Sequence, residues 1–505
     1  MKRRIFCVIL LALVGAFVFA KDLNAIDLFQ NKLNDLIEDL KKAQQKEAVS
    51  RALAHYSMGI IHDNYGKISQ AIEEYKKATL YDPQSSIIHI RLGADYLLLA
   101  DVQNAVEEFQ AAAKYNPEDI KIHFLLALTY TSLKKFDEAA REYQSIIEIS
   151  PKNLEALSSL ADIYIFEEKI EEAARVYEKL ISEDKESAAV HFNLGILYSR
   201  LNKIDGAIEQ FGEALKFNPN YIEANLALGL SYETKGMKDK AIEEYEKYLK
   251  YDPLNIKVYH RLGEAYYDLG KADSAIHQYE LAIKLYPKDL DAYLELAYIY
   301  IEQKKPQDAV NILNKARGLN MRDPRLNISL GFAYGLLEKS EQAALEYLEA
   351  IRLDPNNPKT HFYLGVVYDN LQKTDDAAAE FRKSIQLDQK YAEAYNYLGY
   401  MYVEKDMNLE EAIELIKMAL RIDPDNGAYV DSLGWAYYKR NMLDDAVREL
   451  EKATKLQEND STIREHLADA YYKKGLTAKA KDELRKAIKF DPKNESLKKK
   501  LKNLK

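Results

Sequence analysis

An all-α chain of tandem helix pairs is predicted by three observations. A small residue, preceded in nearly every case by leucine, recurs with a period of 34 at Gly59, Gly93, Ala127, Ala161, Gly195, Gly229, Gly263, Ala297, Gly331, Gly365, Gly399, Gly434 and Ala468, with one interval of 35 before Gly434. Fixed residue types stand at fixed offsets from it, among them tyrosine three residues on, as at Tyr96, Tyr130 and Tyr471. Proline closes the unit at Pro83, Pro117, Pro151, Pro219, Pro253, Pro287, Pro355, Pro424 and Pro492. Proline lacks an N–H and disfavours helix in the residue before it, so the unit reads as helix, turn, helix, break.

In chain order, Lys2-Arg3-Arg4, an apolar run from Ile5 to Phe19 and the small residue Ala20 lay out an export signal over residues 1–20. Cleavage there starts the mature chain at Lys21; the competing expectation is an uncleaved membrane anchor, for which the apolar run is short. Cys7 is the only cysteine, so the mature chain has no disulfide and rests on helix packing. Residues 21–51 place Ile26, Phe29, Leu33, Leu36, Leu40 and Ala43 at steps of three and four. That spacing predicts an amphipathic capping helix docked on the first repeat, with self-association as the other use of the seam.

Residues 52–494 hold the thirteen repeats. The small residue lies on the first helix of each unit and an alanine on the second, as at Ala71, Ala105, Ala241 and Ala446, and the two are expected to face each other at a close crossing. A later large residue, such as Tyr75, Phe109, Tyr245 or Phe381, fills the space beside that contact. The extra residue of the eleventh unit falls in Glu404-Lys405-Asp406-Met407-Asn408-Leu409 and is expected to lengthen the turn without breaking the stack. Over residues 495–505 Leu497, Leu501 and Leu504 share one face of a lysine-rich capping helix, with Lys493, Lys498, Lys499, Lys500, Lys502 and Lys505 expected in water.

Small residue, tyrosine, alanine, aromatic and proline in this order, at this period, resemble the tetratricopeptide repeat. The resemblance implies a right-handed superhelical α-solenoid that binds proteins or extended peptides in a concave groove lined by the first helices. Lysine three before and asparagine one after the small residue, the family's carboxylate clamp, occur in no unit, so clamp-type chaperone binding is disfavoured. The string Asp431-Ser432-Leu433-Gly434-Trp435-Ala436-Tyr437 resembles a variant of bacterial exported or envelope-associated members, which supports a periplasmic or cell-envelope location in a Gram-negative source.

No glycine-rich phosphate loop, metal-spaced histidine pair or nucleophile elbow is present, so no enzyme, cofactor or metal site is expected. His55, His89, His123, His191 and His361 all stand four residues before the small residue. Residues one repeat apart are too distant to share an ion, so a packing role is expected for them. A net charge of −10 argues against nucleic acid bound through phosphates. The partner groove is expected at Tyr298, Phe332, Phe362, Tyr400, Trp435 and Tyr438, where aromatic character concentrates at groove offsets. The functional expectation is a non-catalytic scaffold or adaptor outside the cytoplasm, acting in envelope assembly or secretion. The alternative is a membrane-tethered organiser held by an uncleaved N-terminus. The sequence fixes no oligomeric state.

Overall fold

The computed structural model describes the backbone of residues 23–504 and the side chains of residues 30–504. The predicted signal, Cys7, the side chains of Ile26 and Phe29, and Lys505 lie outside the described residues. Among those described there are 27 helices and no strand. They pair in tandem, each unit joining a first helix such as Ser86–Leu98 to an antiparallel second helix such as Val102–Tyr115. The array divides into two compact units, residues 1–248 and 249–505, where the period alone implies one body.

In the first unit, the core runs through the repeats as alternating small and large side chains: Ala71, Tyr75, Leu92, Ala105, Phe109, Leu126, Ala139, Tyr143 and Ala173 are all buried. The atoms nearest the small residue of the first helix belong mostly to the large side chain of the second, a ring in most repeats and Ile416 or Leu450 at Gly399 and Gly434. A Cβ built on Gly229 falls 2.6 Å from Cε1 of Tyr245, and Gly195 and Phe211 stand 2.5 Å apart in the same way. The predicted alanine contact is seen at Gly399, where the Ala412 carbonyl oxygen lies 2.9 Å from a Cβ built there; at the other small-position glycines the large buried side chain of the second helix lies closest and occupies the space that a side chain on the first helix needs.

Each pair is closed by a turn with one residue in the left-handed region, seven after the small residue. Glycine fills it at Gly66, Gly236, Gly270 and Gly475, and other residues elsewhere, such as Ala100 with φ 58° and Lys134 with φ 57°. Asp101, Asn153 and Asp289 cap helix N-termini through their side chains. The eleventh repeat absorbs its extra residue in this turn, where both Asp406 and Asn408 have positive φ, and the flanking helices Ala392–Glu404 and Leu409–Ile422 keep their usual lengths.

Two end elements depart from expectation. Residues 21–51 do not form a separate helix folded back on the first repeat. A single 42-residue helix, α1 (Leu23–Asn64), runs without a break into the first repeat and pairs there with α2 (Ile68–Tyr81). No proline or glycine lies between Leu23 and Met58, so nothing in the local sequence stops the helix before the repeat begins. In the second unit the last helix, Glu495–Asn503, covers the final repeat: Leu497 is fully buried, and Leu501 and Leu504 pack beside it. Lys500, expected in water, instead bridges Glu465 at 2.7 Å and Asp469 at 2.5 Å.

Candidate interaction surface

Successive first helices touch: Ala188–Arg200 meets Ile222–Thr234 in the first unit, and Ala392–Glu404, Gly427–Lys439 and Ser461–Lys473 follow one another in the second. Offsets six before, one after and five after the small residue differ by seven and four, so they share one helix face. In the first unit that face carries Leu53, Ile87, Leu98, Leu128 and Phe166, exposed by 62, 58, 69, 59 and 69%. Half-buried Tyr56, Ile90 and Phe124 lie between them in sequence at the intervening groove offset. A shallow recess of about 210 Å³ is lined by Val49, Leu53, Tyr56, Ile87 and Ile88, and another of about 270 Å³ by Phe136, Tyr143, Asp162 and Phe166. In the second repeat, burial and the neighbouring Asp63 push the Asp95 carboxyl up to about 7. Tyr75 donates a hydrogen bond to Asp63 at 2.5 Å.

The six residues predicted to form one groove in the second unit separate into four groups. Tyr298 and Phe332 are about half exposed, with Leu336 beside them in the same state. Phe362 is core: only 7% exposed, it packs against Tyr397, Tyr391 and Phe381 with ring centroids 5.1, 5.3 and 5.8 Å away. Its ring is enclosed between Phe381 of its own second helix and Tyr391 and Tyr397 of the next repeat, and its place as a groove residue is corrected. Tyr400 is half-buried, and burial raises its hydroxyl to about 12.

Trp435 and Tyr438 belong to a ring stack that spans two repeats and is hydrogen-bonded to a third. Trp435 lies parallel to Tyr438 at 4.6 Å and to His466 at 4.2 Å, and its Nε1 donates to Glu404 at 2.6 Å. His466 is buried, with Nδ1 at 2.9 Å from both carboxylate oxygens of Asp431. Burial lowers the imidazole pKa, but the Asp431 hydrogen bond and the fields of Asp469 and Glu404 outweigh it and hold the pKa above its ordinary value. Lys473 covers the Tyr438 ring at 4.4 Å. These rings tie first helices together and leave less free surface than Tyr298 and Phe332.

The recurrent histidines do more than pack. The rings of His89 and His191 stack on Tyr115 and Phe217, and each also makes a polar bridge. Nδ1 of His89, His123 and His361 meets Glu108, Glu142 and Glu380 on the second helix at 2.6, 2.6 and 2.5 Å, while Nε2 faces the backbone carbonyl of Pro83, Pro117 and Pro355 at 3.1, 2.9 and 3.1 Å. At His89 and His361 two acceptors require both nitrogens to donate, which favours the charged ring. The glutamate hydrogen bond accordingly raises the pKa of His89 and His361. Asn327 and Arg464 stand at the same offset and reach Glu346 and Glu483. Among the described residues no group of three His, Cys, Asp or Glu side chains is placed to hold a metal ion.

The exposed apolar positions Leu53, Ile87, Leu98 and Phe166, six before or five after the small residue, escaped the sequence reading, which took the groove from the offsets nearer to it. Their common face was available from the offsets.

Family models described as tetratricopeptide repeat match residues 52–85, 96–163, 130–191, 222–253, 260–324, 368–427 and 462–494, and a TPR repeat model matches 197–236, 336–372 and 434–475. The chain belongs to the tetratricopeptide repeat family. As such it is a protein-interaction scaffold. A search of curated proteins finds no match. Similar solved structures include the APC/C hetero-tetramer Cut9–Hcn1, 17% identical over 92% of this chain and 98% of that one with a TM-score of 0.42. MamA is 28% identical over 34% of this chain and 94% of its own, with a TM-score of 0.32. YrrB, described as a TPR protein with an unusual peptide-binding site, is 22% identical over 37% of this chain and 96% of its own, also with a TM-score of 0.32.

Proposed function

We propose that this tetratricopeptide protein is an exported scaffold of the cell envelope that holds apolar stretches of partner proteins along its first-helix faces, in envelope assembly or secretion. The observation that carries this reading is the row of exposed apolar side chains from Leu53 to Phe166, which an otherwise charged and acidic chain leaves uncovered within the fold. Large apolar patches of this kind mark interaction sites. Tyr298, Phe332 and Leu336 extend the same chemistry to repeats eight and nine. The basic start, apolar run and Ala20 support export. No helix among the described residues is long and apolar enough to cross a membrane.

The test is affinity capture from the native envelope with protein beginning at Lys21, beside Leu98→Asp with Leu128→Asp and, separately, Tyr298→Ala with Phe332→Ala. Partners that depend on a face are expected to weaken about tenfold or more when its anchors are lost, while melting stays unchanged. Equal recovery by all three proteins overturns the groove assignment. N-terminal sequencing of the exported form separates the two modes of action: a start near Lys21 means a released scaffold, and an intact N-terminus means a membrane-tethered organiser.

A further inference from the structure

At the offsets three before and one after the small residue, Asp162 is the only charged side chain in repeats one to six. Leu128 in repeat three and Ile196 in repeat five hold the same place as Asp162 and are 59 and 38% exposed. Asp162 stands in the recess of about 270 Å³ between repeats three and four, beside the Phe136 and Phe166 rings, whose centroids are 4.6 Å apart, and the Thr131 and Ser159 hydroxyls. The smallness of Ser159 leaves this space open: at the same offset in repeat five the longer Asn193 spans to the Tyr177 hydroxyl at 3.2 Å. Thr131 spends its hydrogen on the Ala127 carbonyl at 2.8 Å, so its oxygen, like the carboxylate, is left to accept. Among the described residues no hydrogen bond or ion pair reaches Asp162, and burial alone moves its carboxyl, upward from the ordinary value. Lys169, the nearest basic residue in sequence, is taken by Asp137 at 2.8 Å and Glu167 at 3.0 Å.

We propose that this recess takes one basic side chain of an otherwise apolar partner segment, its cationic head on the Asp162 carboxylate and its neighbours on Leu128 and Ile196. This selection rests on the first-helix face being a partner surface, and it names which segments that face prefers. Charge decides the occupant. A wholly apolar segment laid across the recess covers the carboxylate without pairing it, which costs free energy, and an acidic one adds repulsion. A lysine or arginine head supplies several N–H donors to a site that offers acceptors, and its aliphatic stem lies against apolar surface. The Phe136 and Phe166 rings add the attraction of an aromatic face for a cation.

Fluorescence anisotropy of the chain from Lys21 tests the selection, with labelled peptides blocked at both ends and alternating leucine and alanine, the central residue being lysine, norleucine or glutamate. The lysine peptide is expected to bind about fivefold or more tightly than the norleucine peptide, which has the same stem without the charge, and the glutamate peptide more weakly than either. Asp162→Asn is expected to bring lysine down to the norleucine level while norleucine binding and thermal melting stay unchanged, since Asp162 is exposed and outside the repeat core. Asp162→Lys is expected to turn the preference toward glutamate. Equal binding of the lysine and norleucine peptides by the unmodified protein, or a lysine preference that survives Asp162→Asn, overturns the Asp162 site and leaves the apolar face standing. Failure of every peptide to bind overturns the face as a partner surface, and the Asp162 site with it.

Discussion

At the residue scale, the same offset does different work according to what the repeat brings to it. Four residues before the small residue, His123, Asn327 and Arg464 each reach an acid on the second helix, and His123 and Arg464 hold a loop carbonyl between repeats as well. The offset was visible in the sequence, but the partners were not, because they lie 19 residues on and meet it only when the helices pair. Trp435 offers a direct probe of one such hidden partnership, since it is the only tryptophan and stacks on His466. A protonated imidazole withdraws an electron from excited indole and quenches it. The His466 pKa is raised above its ordinary value, so the pair's contribution to stability is complete below about pH 6.5 and is lost as pH rises through the raised folded value. Trp435 emission is expected to stay low at pH 6.5 and to rise only above it. Asp431→Asn is expected to move that transition to lower pH in a fluorescence titration; an unmoved midpoint rules out Asp431 as the cause.

At the element scale, the helix pair is set by two opposed steric demands. The first helix must carry no more than a hydrogen atom or a methyl group where the second presents a large side chain, and the turn between them must accept a left-handed residue. Gly229→Ala pushes a methyl group into the fully buried Tyr245 ring and is expected to cost about 1–3 kcal/mol. Ala100 pays for its positive φ with nothing evident in return, so Ala100→Gly is expected to raise stability by up to about 1 kcal/mol. Urea midpoints at constant slope report both. The small residue and the helix boundaries were legible from the repeat. Its true opponent was not, because periodicity gives spacing along the chain and leaves open which of two buried residues on the second helix turns toward the first.

At the scale of the whole molecule, a tandem array draws its stability from each repeat and its neighbours. Gly93→Leu, which drives a side chain into Phe109, is therefore expected to speed amide exchange in repeats one to three and to leave Trp435 emission unchanged. A global loss of protection in that variant contradicts a locally held array. The sequence by itself determined the repeat, its helix pairs, its turns, the longer turn of repeat eleven and the family, because each depends on residue types at fixed short spacing. Only the tertiary structure decided that α1 is continuous, that Lys500 leaves water for Glu465 and Asp469, and that Phe362 is core while Leu98 and Phe166 are surface. Those outcomes depend on which helix covers which face, and a face is covered or left bare only when neighbouring elements come together in space.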